Sequence, residues 1–115
     1  WFPTEGLDET SVRLVPQSVL GLRALERGYV ARYDFGRAFI VEEDSPEKAR
    51  SVVQVLLKRL GQVQPAAIAD EGYVGADRYL GQMVVARKGR YVFGFVGLKS
   101  RDGVAETRAL AERIP

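Results

Sequence analysis

Residues 28–41, Gly28-Tyr29-Val30-Ala31-Arg32-Tyr33-Asp34-Phe35-Gly36-Arg37-Ala38-Phe39-Ile40-Val41, place two β-rich runs on either side of a glycine. Their reading decides the fold. The runs 29–33 and 38–41 mix β-branched and aromatic residues, and Gly36 allows a reversal between them, so the stretch predicts a β-hairpin. Ser45-Pro46-Glu47 follows. A serine hydroxyl able to accept from a free N–H, a proline at the first helical position and an early acid at the positive end of the helix dipole together start a helix. Ala49, Val52, Val53, Leu56, Leu57 and Leu60 then recur at the spacing of one buried helical face, and Gly61 stands where a C-cap glycine belongs.

The same order returns downstream. Residues 82–87 and 91–96 are β-rich and flank Lys88-Gly89, predicting a second hairpin whose glycine takes a positive φ. Ser100 or Asp102 then caps a helix with Val104, Thr107, Leu110, Ala111 and Ile114 on its apolar face. Residues 28–60 and 81–114 therefore read as similar ββα units, with Gly36-Arg37 and Gly89-Arg90 at matching places. Identity beyond that pair is sparse, which favours two ordinary units over an ancient duplication. The expectation is a single α+β domain over residues 1–115, in which an antiparallel sheet from two hairpins carries two main helices on one face, in ββα–ββα order.

The remaining stretches carry weaker signals. Residues 1–10 read as an irregular leading loop, and residues 11–15 as a short strand that Pro16 ends. Residues 17–25 read as a short helix interrupted by Gly21, and residues 66–70, opened by Pro65, as a short strand. Gly72, Gly75 and Gly81 make residues 71–81 read as a long loop with one helical turn at most.

Composition bounds the chemistry. The chain of 115 residues is 46% hydrophobic and 28% charged, a balance that builds a core. It has no cysteine and no histidine, which excludes disulfides, thiol catalysis, histidine-based triads and thiolate or imidazole metal sites. Asparagine is absent and Met83 is the single methionine, a depletion of labile residues that fits a thermophilic source. The net charge of +2 makes the sequence pI of 9.1 a weak pointer to nucleic acid, because without histidine little titrates near neutrality. No apolar run reaches the roughly 18 residues that span a bilayer, so no transmembrane segment is expected. The opening residues lack a signal-peptide pattern and the chain starts without methionine, as a mature or excised segment would.

Candidate sites compete with plain structural roles. Glu42-Glu43-Asp44 is the densest acidic run, but it immediately precedes a helix that favours negative charge and lacks a calcium-loop pattern, so no metal site is expected. Neither GxxxxGK[ST] nor GxGxxG occurs, so no nucleotide cofactor is expected. Arg87, Lys88 and Arg90 form a basic hairpin tip, while Tyr73 and Tyr79 fall in the glycine-rich stretch over the sheet. These five residues are the candidate ligand or partner surface. Phe93-Gly94-Phe95-Val96 resembles the aromatic strand of the RNA-recognition motif, whose rings stack bases. Here Tyr91-Val92 replaces the basic-glycine start, Leu98 the final aromatic, and the strand is apolar on both sides, as a central strand is.

A wider likeness covers most of the chain. Val15-Pro16-Gln17-Ser18-Val19-Leu20-Gly21-Leu22, Gly28-Tyr29-Val30-Ala31-Arg32-Tyr33, the Gly-Arg turn, Ser45-Pro46-Glu47-Lys48-Ala49 and Lys88-Gly89-Arg90-Tyr91-Val92 resemble an uncharacterised, commonly exported bacterial family known as a domain of unknown function. The resemblance implies a bacterial origin and an extracytoplasmic rather than a cytoplasmic location, and it transfers no active site.

The function expected from these readings is that of a non-catalytic interaction or ligand-binding module without cofactor. A protein or small-molecule partner is favoured and nucleic acid disfavoured. Two alternatives belong to other classes: single-stranded RNA binding through the aromatic strand, and an enzyme in which Glu42, Asp70 or Asp77 converges on Tyr73 or Tyr79.

Overall fold

The computed structural model describes Phe2, residues 6–15, Leu25, residues 27–99 and residues 102–114. Along the chain come β1 (Leu7–Val15), β2 (Gly28–Tyr33), β3 (Gly36–Glu42), α1 (Pro46–Leu57), β4 (Gly61–Pro65), β5 (Glu71–Asp77), β6 (Gly81–Lys88), β7 (Tyr91–Val96) and α2 (Val104–Arg113). One antiparallel sheet orders the strands β1-β2-β3-β7-β6-β5-β4. Among the described residues, the α+β class with two helices holds. The ββα–ββα order does not, because β1, β4 and β5 extend the sheet beyond the two hairpins.

Both hairpins close where glycine permits. Tyr33 pairs with Gly36 around Asp34-Phe35. Lys88 pairs with Tyr91 around Gly89-Arg90, where the φ of 58° at Gly89 is one that glycine adopts without strain. The β3 and β7 strands then join antiparallel at the centre, Ile40 opposite Phe93 and Phe39 opposite Gly94. Gly94 is needed there because a Cβ would overlap the Val84 carbonyl oxygen of the neighbouring strand.

The helices lie on opposite faces of the sheet, which corrects the expectation of a single covered face. On one side, Ala49, Val52, Val53 and Leu56 of α1 pack with Phe39, Val41, Val85, Val92 and Val96. On the other, Leu110 and Ala111 of α2, with Ile114 just beyond it, pack with Ala38, Ile40, Val84, Phe93 and Phe95. The reason is in the strands. Ala38-Phe39-Ile40-Val41 and Met83-Val84-Val85-Ala86 are buried without a break, so successive side chains on both faces need cover.

Other differences are local. Residues 71–77 form a strand rather than a loop, since Gly72 and Gly75 mark close approaches: a Cβ at 72 would sit 2.8 Å from the Ile68 Cβ, and one at 75 would sit 3.1 Å from the Leu60 Cβ. Gly61 does not cap α1, whose C-cap is Lys58; it opens β4, and residues 66–70 expected as a strand hold no strand. The strand expected at residues 11–15 begins at Leu7, inside the expected leading loop, and a bulge between Asp8 and Arg13 absorbs the irregularity. The helix expected over residues 17–25 lies outside the described residues apart from Leu25, which is fully buried under α1. Both sheet edges are unfit for further pairing: β1 is bulged, and β4 carries Pro65 and a left-handed Gln62.

Candidate functional site

Among the described residues, one corner of the sheet is left uncovered. Period-two alternation puts Tyr29, Ile40, Glu42 and Tyr91 on the α2 side, and the register sets Leu14 beside Tyr29, Tyr29 beside Ile40 and Glu42 beside Tyr91. The α2 helix packs mainly on β6 and β7. Tyr29 therefore stands 51% exposed and Leu14 41% exposed, side by side. Leu14, Arg27, Gly28, Tyr29, Ile40, Glu42 and Tyr91 line a concavity of about 260 Å³.

The rim is fixed by charge and hydrogen bonding. The Glu42 carboxylate pairs with the Arg90 guanidinium and accepts from the Tyr91 hydroxyl at 3.3 Å, while the Arg90 guanidinium sits 6.0 Å from the centroid of the Tyr91 ring. Gly28 brings β2 close to β3: a Cβ there would lie 2.5 Å from the Ile40 carbonyl oxygen. Such a surface offers a ring face and an aliphatic contact, with a guanidinium and a carboxylate at its edge. It can hold a ligand by stacking and directed hydrogen bonds.

The candidate residues from the sequence are dispersed by the fold. Arg87 is buried on the α1 side, donating from Nε to Glu71 at 2.6 Å and from Nη1 to the Gly89 carbonyl at 3.0 Å, with the Asp70 carboxylate 3.5 Å away. Lys88 turns to the other face and donates to the Ala111 and Ile114 carbonyls at 2.9 and 2.6 Å, satisfying the open end of α2. The Tyr73 hydroxyl donates to Glu71 at 3.1 Å, and its pKa is raised by burial and by that carboxylate. Tyr79, 81% exposed, lies in the β5–β6 turn at the other end of β5. Only Arg90 of the five borders the aromatic corner.

The acids proposed for catalysis also stay apart. Asp70 accepts from the Gly89 N–H at 2.6 Å. Asp77 accepts from Arg59 at 3.0 Å and from the N–H groups of Tyr79 and Leu80 at 2.9 and 2.8 Å, so it organises a turn. Glu42 lies on β3, with β7 and β6 between it and β5. Phe93 and Phe95, the rings an RNA platform would use, are 0% and 1% exposed beneath α2. Among the described residues no group of three or more acidic, histidine or cysteine side chains is placed to hold a metal ion, and no helix is long and apolar enough to cross a membrane.

Sequence reasoning missed Leu14, Arg27, Tyr29 and Tyr91 as a group. Their types gave a partial signal, since Tyr29 and Tyr91 each open a strand. Their neighbourhood depends on pairing between β3 and β7, which no local pattern encodes. Comparison with protein-family models finds none that matches the chain, and comparison with curated proteins and with solved structures finds no match either.

Proposed function

We propose that the chain is a non-catalytic ligand-binding module of an exported bacterial protein, as its family resemblance implies, and that it takes a compact ring-bearing ligand at the aromatic corner. The observation that carries this reading is the exposed pair Leu14 and Tyr29, set in a concavity with Tyr91 and edged by Arg27 and Glu42. An apolar floor with a few convergent polar groups is the usual composition of a small-ligand site. No comparable opening exposes Phe93 or Phe95, so nothing favours the RNA reading over this one.

The test is a fragment screen by amide chemical shift on the labelled protein. Hits that move residues 14, 27–29, 42 and 91, and that weaken at least tenfold in Tyr29→Ala, are expected. Hits that gather elsewhere, or turnover of a substrate by the purified protein, would remove the proposal.

A further inference from the structure

A second concavity, of about 280 Å³, lies at the opposite end of the strands, where the β2–β3 turn meets the chain leaving β7. Its wall includes Arg32, Asp34, Gly36, Arg37, Gly97 and Lys99. The register sets Arg32 directly opposite Arg37, which puts their Cα atoms about 4.5–5.5 Å apart in an antiparallel pair. Like charges in that arrangement destabilise a sheet, and the two-residue turn fixes the register that creates them.

Only one of the two is neutralised. Arg32 pairs with Asp8 at 2.6 Å, whereas among the described residues the Arg37 guanidinium and the Lys99 ammonium have no carboxylate partner. Asp34, the carboxylate on this wall, is directed at Gly6: a Cβ at Gly6 would lie 2.8 Å from its Oδ1. Gly36 and Gly97 also line the cleft, and the Cβ that Gly36 lacks would lie 2.8 Å from the Val96 carbonyl oxygen.

We propose that this cleft is an anion site that takes a tetrahedral oxyanion, phosphate or sulfate, between Arg37 and Lys99. The anion supplies the charge that Asp8 supplies to Arg32, and accepts charge-assisted hydrogen bonds from a guanidinium fork and an ammonium. The site is independent of the aromatic corner, on different residues at the other end of the sheet.

Titration of the labelled protein with inorganic phosphate, and separately with sulfate, at an ionic strength held constant with chloride, tests it. Saturable amide shifts at Gly36, Arg37, Gly97 and Lys99 are expected, weakened at least tenfold in Arg37→Gln and in Lys99→Gln and unchanged in Arg50→Gln on the exposed side of α1. Shifts that fail to saturate, that chloride reproduces, or that survive both cleft substitutions overturn the site. A further arm with methyl phosphate and methyl sulfate assigns the source. Tighter binding of the ester points to the end group of a larger ligand and tighter binding of the inorganic ion to a free anion, and either ordering supports the site.

Discussion

The hairpin and helix of residues 28–57 and those of residues 81–113 are built alike and end differently. A two-fold axis normal to the sheet, between β3 and β7, relates β2-β3 to β6-β7, since the central strands are antiparallel and the order is symmetric about them. That rotation would leave both helices on one face, yet they lie on opposite faces. The junctions differ accordingly. Only residues 43–45 separate β3 from α1, whereas residues 97–103 separate β7 from α2 and include Gly97 and Gly103 at φ of 64° and 83°. Hairpins are local structures set by turn chemistry, whereas the side a helix takes is set by its linker and by which face still needs cover.

The largest expected effect probes the centre of that pseudo-symmetry. Gly94→Ala places a Cβ on the backbone of β6, while Val41, at the matching place in the first unit, carries a full side chain. The substitution is expected to cost more than about 4 kcal/mol, beyond ordinary point mutants, and to leave the chain largely unfolded in urea titration. A folded Gly94→Ala with unchanged midpoint would show that β6 and β7 are not so closely apposed.

Next comes the cover of the two faces. Leu56→Ala on α1 and Leu110→Ala on α2 each remove a buried side chain, and each is expected to lower stability by about 2–5 kcal/mol. Similar losses at the two sites mean that both faces belong to one cooperative core. A loss confined to Leu56→Ala would mean that α2 is dispensable, and the two-sided architecture would fail.

Acid titration separates the two flanks of the sheet. Burial works to raise the Asp77 pKa, but hydrogen bonds from Arg59, Leu80 and Tyr79 outweigh it and hold the carboxyl below its ordinary value. A folded pKa below the unfolded one, near 3.9, gives stability that is present above that pH and lost as pH falls through the lower folded value. Asp77→Asn should therefore flatten the fall in urea midpoint between about pH 5 and pH 2. Asp8 at the β1 edge is also held low, chiefly by Thr10 and Arg32, but it is open to solvent. The acid-limb effect of Asp8→Asn is accordingly expected to shrink in high salt as its ion pair with Arg32 is screened, and that of Asp77→Asn to persist more fully.

The smallest effect lies at the helix starts. Ser45 accepts from the Lys48 N–H at 3.1 Å, whereas the N-cap of α2 is Gly103, which has no side chain to accept, and the Asp102 carboxylate accepts from the Val104 N–H at 3.0 Å. Ser45→Ala is expected to cost about 1 kcal/mol and Asp102→Ala about half of that, measured by thermal unfolding. The reverse ranking would show that the longer junction depends on its acid more than on its glycines.

The sequence by itself determined the elements whose cause is local. The hairpin turn at Gly89, the Ser45-Pro46 helix start and the buried stripes of α1 and α2 follow from φ freedom, capping and period, which act within a few residues. The apolar runs at residues 38–41 and 83–86 also carried the demand for cover on both faces, although two helices after two similar hairpins pointed to one face. Tertiary structure alone decided the rest. Gly72 and Gly75 look like loop residues until Ile68 and Leu60 are seen against them. Leu14, Tyr29 and Tyr91 become one surface, and Arg32 and Arg37 an opposed pair, only once register is set. Strand pairing joins residues far apart in the chain, and its energy comes from burial shared across the sheet rather than from any segment's own pattern.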